Sequence, residues 1–228
     1  MSYKAIMISK LAFFSLLLIG SLNLVSAEPL APNEVKGLLE KIRAKRAGAP
    51  QVQADFEELK DVHLMNKPIS SKGKVWFQEP NKFRREVEGS APSITVSDGS
   101  VLWIYYPKFQ SAEKYSLGKH SPLDAGIAAL TAALNLQDVE RSYHITGSKE
   151  GDGFTLLLAP RNPSLKRLLK TFELHLNAAL QVQRTEMVQP NGDRIVTTYR
   201  NESRAPLPAS TFAFTPPAGT NVTTPLGR

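Results

Sequence analysis

Along this chain the spacing of apolar residues changes character twice: an apolar stretch from Leu11 to Ile19 gives way to helical spacing, and from Gln51 onward to a spacing of two. Val35, Leu38, Leu39 and Ile42 stand at i, i+3, i+4 and i+7, which predicts a helix with one apolar stripe. Asn33 is the candidate N-cap, and Gly48 with Pro50 ends the helix. The remaining faces carry Lys36, Lys41, Arg43, Lys45 and Arg46. Such a stripe suits a helix docked on a core and a lid over a cavity equally well.

Past Gln51, short alternating runs are separated by turn signals at Asn66-Lys67-Pro68, Glu79-Pro80-Asn81 and Ser97-Asp98-Gly99-Ser100. Val75 and Phe77 fall on one side of their run, with Lys72, Lys74, Trp76 and Gln78 on the other. Phe83 and Val87, then Ile94 and Val96, continue an apolar face, whereas Val101 to Tyr106 is apolar on both faces and so predicted to be buried on both. Later runs repeat the alternation at Phe154, Leu156 and Leu158, at Phe172, Leu174 and Leu176, and at Ile195, Thr197 and Tyr199. Ser121, Pro122 and Asp124 read as an N-cap, a proline at N1 and an acid at N3, opening a second helix through Ile127, Leu130 and Leu134. The predicted fold class is mainly β (α+β): a curved antiparallel sheet forming an incomplete barrel, with helices lidding an apolar concavity that would otherwise invite aggregation.

The first apolar run is too short for a bilayer some 30 Å thick. Lys4 and Lys10 precede it and Val25-Ser26-Ala27 follow, the order of a secretory signal peptide cleaved after Ala27. The expected organisation is a signal over residues 1–27 and one domain over 28–228. The chain has no cysteine, which rules out disulfides, cysteine-ligated metals and a lipidated cysteine at the cleavage point. Of the formal net charge of +7, Lys4 and Lys10 supply two, leaving +5 on the exported part. Export argues against nucleic acid as the partner and leaves anionic surfaces, acidic proteins or solubility as the role of that charge.

No reactive constellation stands out. Ser116 and Lys119 match an S-x-x-K spacing without its companion motifs. His63, His120, His144 and His175 are scattered, without the i, i+4 pair of a helical zinc site. Gly151-Asp152-Gly153 reads as a hairpin turn, and the sequons at Asn201 and Asn221 carry no argument. The chain is read as non-enzymatic, with no catalytic residues, metal or cofactor.

Four blocks in order carry a resemblance: Gln53-Ala-Asp-Phe56; Glu79-Pro-Asn-Lys-Phe-Arg84; Val96-Ser-Asp-Gly-Ser-Val-Leu-Trp-Ile-Tyr-Tyr-Pro107; and Ser210-Thr-Phe-Ala-Phe-Thr-Pro-Pro-Ala-Gly219. Together they resemble the LolA family of periplasmic outer-membrane lipoprotein carriers, from about Gln53 to Val222. The resemblance implies a lidded barrel whose cavity takes the acyl chains of lipoproteins released by an inner-membrane ABC transporter and passes them to an outer-membrane receptor. It implies a monomer that binds acylated lipoprotein or lipid.

On that reading Val75, Phe77, Phe83, Val87, Ile94, Val96, Trp103 and Tyr105 line the cavity, and Leu38, Leu39, Ile42, Ile127 and Leu130 belong to the lid. Glu79 departs from the family pattern, which commonly has arginine there to hold the lid through backbone carbonyls; a carboxylate cannot donate those bonds. Glu79, Arg84 and Arg85 are therefore the gate candidates, and a cargo with an anionic head group is an alternative account of the nearby arginines. Rival readings are a carrier of glycolipid or another acylated molecule, and a lipid-sensing regulatory module of the same fold.

Overall fold

The computed structural model describes residues 27–117, 136 and 139–225. The expected signal peptide up to Ser26, His120 and the second helix with Ile127, Leu130 and Leu134 lie outside the described residues.

Helix α1 spans Pro32–Ala47, beginning one residue before the expected cap. Proline at the first helical position has its φ already set for a helix and lacks only an N–H that would go unbonded. Ala31 then serves as the cap, its amide donating to the Glu34 carboxylate at 2.7 Å. The strands are β1 (Glu28–Pro29), β2 (Gln51–Asp61), β3 (Ile69–Gln78), β4 (Lys82–Glu88), β5 (Ser93–Ser97), β6 (Val101–Tyr106), β7 (Ser111–Ser116), β8 (Tyr143–Glu150), β9 (Gly153–Pro160), β10 (Thr171–Leu176), β11 (Val182–Val188), β12 (Arg194–Ser203) and β13 (Asn221–Thr223). Two short helices, α2 (Val139–Ser142) and α3 (Pro163–Lys166), complete the described elements along with single 3-10 turns at Pro107–Phe109 and Ala209–Phe212.

The thirteen strands of the described residues form one sheet in the order β1-β8-β9-β10-β11-β12-β2-β3-β4-β5-β6-β7-β13, antiparallel throughout except for β13 beside β7. The sheet is curved and open, the incomplete barrel that the alternation predicts. Directly paired residues share a face, so register assigns every side chain to one side. On β2, β3 and β4 one face carries Val52, Ala54 and Phe56, then Phe77 and Val75, then Phe83, Arg85 and Val87. It continues through Tyr199, Thr197 and Ile195 on β12, Thr185 and Met187 on β11, and Phe172, Leu174 and Leu176 on β10.

Helix α1 packs on this same face at the β8–β10 end. Val35, Leu38, Leu39 and Ile42 join Leu156, Leu158, Phe172, Leu174, Leu176, Leu136, Val139 and Tyr143 in one buried cluster. Gly147 makes the approach possible, since a Cβ there would lie 3.2–3.3 Å from Leu30, Val35 and Leu156. Arg43 ties the helix to the segment that precedes β8, its Nε donating to the Leu136 carbonyl at 2.8 Å and its Nη2 meeting Glu140 at 2.5 Å. Ile42→Ala should cost about 2–5 kcal/mol of unfolding free energy, read from the urea midpoint. A cost under about 1 kcal/mol would mean the helix is loosely docked.

Gly73 marks the tightest point of the β3–β4 pair: a Cβ there would stand 1.8 Å from the Glu86 carbonyl oxygen. Because the obstacle is backbone, no rotamer change relieves it. Gly73→Ala should therefore destabilise by about 2–4 kcal/mol, also by urea titration, and a neutral outcome would show that β4 can shift.

Candidate functional site

Beside the α1 cluster the same face opens into a cavity of about 220 Å³. One water needs roughly 10–15 Å³ by this measure, so the space far exceeds an ordinary packing defect. Its walls are Val52, Ala54 and Phe56 from β2, Val75 and Phe77 from β3, Phe83 from β4, Val182 and Met187 from β11, and Ile195 and Tyr199 from β12, with Phe172 shared between the cavity and the buried cluster. Alternation along each strand places these side chains; polar neighbours such as Gln53 and Trp76, whose indole donates to Gln53 at 3.0 Å, lie on the other face.

Two charged groups interrupt the apolar walls. The Arg85 guanidinium lies 2.9 Å from the Glu58 carboxylate and 4.3 Å from the Phe56 ring centroid. The pair falls outside hydrogen-bond geometry, so it is held by charge attraction and by the aromatic face beneath it. Glu58 also accepts from the Thr197 hydroxyl at 3.3 Å. Burial pushes the Tyr199 phenol up, keeping it neutral at ordinary pH, with the Thr185 hydroxyl 3.4 Å away.

At the other end Arg46, on the last turn of α1, lines the cavity together with Pro50, Glu79, Glu202 and Arg204. Burial, followed by the Arg204 guanidinium, lowers Arg46 to about 10, while Glu202 and Glu79 act in the opposite direction. Arg204 is fixed by donating to Glu202 at 3.0 Å and to the Ala49 carbonyl at 3.1 Å. Arg204, just past β12, thereby ties the segment that follows α1 to Glu202 of β12.

Of the residues expected at the cavity, Val75, Phe77 and Phe83 line it, as do the gate candidates Glu79 and Arg85. Val87 shares the face but lies beyond the lining. Ile94, Val96, Trp103 and Tyr105 are on the opposite face: Val96 pairs with Arg84 and with Trp103, and Ile94 with Glu86 and Tyr105, one residue out of step with Phe83 and Arg85. The carboxy-terminal segment covers that side, with Phe214 centred 5.8 Å from Trp103 and 5.6 Å from Tyr105. Arg84 belongs there too, bound to Glu86 and donating to the Thr211 carbonyl at 3.1 Å, which removes it from the rim. Leu38, Leu39 and Ile42 sit in the packed cluster beside the cavity.

Val52, Ala54, Val182, Met187, Glu202 and Arg204 were not among the residues expected at the site. The period-two pattern marks several of them as inward-facing, but only the order of strands in the sheet shows that β12 neighbours β2 and that β11 follows beyond it. Among the described residues no three His, Asp or Glu side chains gather as metal ligands.

The fold has a counterpart in an uncharacterized conserved protein from Thermus thermophilus, with TM-score 0.51 over 84% of this chain and 99% of that one at 12% identity. In sequence, the outer-membrane lipoprotein carrier protein of Chromobacterium violaceum is 28% identical over 199 residues, covering 87% of this chain and 92% of that protein. The protein of the same name from Yersinia pestis bv. Antiqua is 28% identical over 147 residues, covering 64% of this chain and 68% of its own length. Residues 47–215 match the family model described as outer membrane lipoprotein carrier protein LolA, a span that contains all the strands lining the cavity. With an apolar cavity in an open barrel and that match over most of its length, the chain belongs to the LolA family.

Proposed function

We propose that the protein is a periplasmic carrier that shelters the acyl chains of a lipoprotein in this cavity, taking them from an inner-membrane ABC transporter and yielding them to an outer-membrane receptor. The single observation that supports this most is about 220 Å³ of space walled by Val52, Ala54, Phe56, Val75, Phe77, Phe83, Met187 and Ile195. Hydrocarbon in water costs about 0.8 kcal/mol per CH₂, hence on the order of 10 kcal/mol for a long chain, and these walls offset that cost without any directional bond. Absence of directional bonds also serves release, because affinity set by burial alone can be outbid by a deeper apolar site.

The Arg46, Glu79, Glu202 and Arg204 cluster serves as the gate in this reading. With Glu79 in place of the family's usual arginine, the guanidinium at the lid is supplied by the helix itself, through Arg46, and the acid stands on the sheet. The polarity of the contact is reversed while its attraction is kept. Opening then requires the α1 terminus to leave Glu79 and Glu202.

The test is to purify the protein from its native periplasm and identify what it carries by mass spectrometry. Acylated peptide is the expected result. Free glycolipid or phospholipid would move the cargo to another acylated class, and a protein that neither carries nor binds any acyl compound would end the carrier reading.

A further inference from the structure

Among the described residues, seven large apolar side chains are strongly exposed, and four of them belong to one hairpin: Leu64 at 90%, Met65 at 53%, Leu59 at 49% and Ile69 at 47%. Leu64 and Met65 form the tip between β2 and β3, and Leu59 and Ile69 are on the strands just below it. The tip is held in place. The His63 amide donates to Asp193 at 3.0 Å and the Met65 amide to the Val62 carbonyl at 2.8 Å, so these side chains are presented outward by an ordered turn.

The hairpin is apolar on both of its sides. Leu59 pairs with Ser70 and Ile69 with Lys60, which puts Leu59 and Ile69 on opposite faces, with Leu64 and Met65 at the tip. A folded protein partner covers one contiguous surface and would leave one side of this wedge in water. A fluid apolar medium surrounds all of it. Charge agrees with such a medium being anionic. Residues 62–69 include Lys67 and His63 and no carboxylate, and the nearest acids are engaged, Asp61 by Arg194 at 3.6 Å and Asp193 by Lys60 at 4.0 Å.

We propose that the β2–β3 hairpin tip is a membrane wedge, which inserts Leu64 and Met65 among the headgroups of an anionic bilayer while Lys67 meets lipid phosphates. It lies at the far end of β2 from the Arg46 rim, since Gln51 begins the strand beside that rim and Asp61 ends it at the tip. A protein so equipped touches the bilayer with one end while the gate faces away from it. The inference stands apart from the identity of the cargo.

Flotation of the exported protein with vesicles of phosphatidylethanolamine and phosphatidylglycerol tests it, with intact mass establishing that residues 1–27 are gone. The wild type should float with these vesicles. Leu64→Glu with Met65→Glu should reduce partitioning by at least about tenfold, from the apolar burial lost, with the circular dichroism spectrum unchanged because both residues are solvent-exposed. Lys67→Glu alone should weaken it by about fivefold and blunt its salt dependence. Absence of flotation by the wild type overturns the proposal, and so does flotation that the double substitution leaves intact. If vesicles are ignored yet the double substitution blocks transfer of cargo to an acceptor, the tip contacts a protein and the membrane wedge is equally overturned.

Discussion

Ala54→Phe is expected to weaken long-chain acyl binding by roughly two orders of magnitude while leaving the protein as stable as before or slightly more so. Ala54 sits in the middle of the β2 wall, opposite Val75 and between Val52 and Phe56 on the cavity face. A benzyl group there occupies space that cargo would use. Excluding about four methylenes, at ~0.8 kcal/mol each, removes about 3 kcal/mol, or roughly two orders of magnitude in affinity. Burying the new ring in a pre-existing void contributes about 1–2 kcal/mol to folding, against which some strain must be set. Displacement of a fluorescent fatty-acyl probe measures the first effect and thermal unfolding the second. Met187→Trp, which enters from the β11 wall, is the companion. Undiminished binding by both stable variants would place the cargo elsewhere.

The second large effect concerns the Arg85 and Glu58 pair, whose side chains are 27% and 21% exposed. Removing one partner of a fully buried pair costs about 3–5 kcal/mol; partial solvent access brings the expected loss for Arg85→Met down to about 2 kcal/mol. Replacing both, as Arg85→Met with Glu58→Gln, should restore most of the loss, because no charge is then left facing apolar walls. The double variant should also bind acyl probes more tightly than wild type, having gained methionine surface inside the cavity. A complete double-mutant cycle in urea gives the coupling, expected to exceed about 1 kcal/mol. Strictly additive losses would show the two groups act separately, and unchanged acyl binding and release in Arg85→Met would exclude Arg85 from any part in gating.

Strand existence and facing were legible in the spacing of single residues. Phe172, Leu174 and Leu176 alternate with Thr171, Glu173 and His175, and the fold keeps that division. Turns fell where proline, glycine and asparagine require them, as at Glu79-Pro80-Asn81 between β3 and β4. The limit came at Ile94 to Tyr105. Ile94 and Val96 alternate with Thr95 and Ser97 while Val101 to Tyr106 is apolar on both faces, so a period of two names two sides without saying which is the cavity; Phe214, more than a hundred residues further on, decides it by packing on Trp103 and Tyr105.

Local chemistry therefore determined the helix, the strands, their inner residues up to a choice of face, and the family pattern. Tertiary structure alone decided three things. It set β12 beside β2, making one wall from residues about 140 positions apart, such as Glu58 and Thr197 at 3.3 Å. It sank the α1 stripe into a solid cluster at one end and left the other end open. It brought Arg46, Glu79, Glu202 and Arg204 to a common rim. The physical reason is the same in each case: apolar spacing records only that a side chain avoids water, whereas the choice between a filled interior and a vacant one depends on which distant strands and helix come to stand across from it.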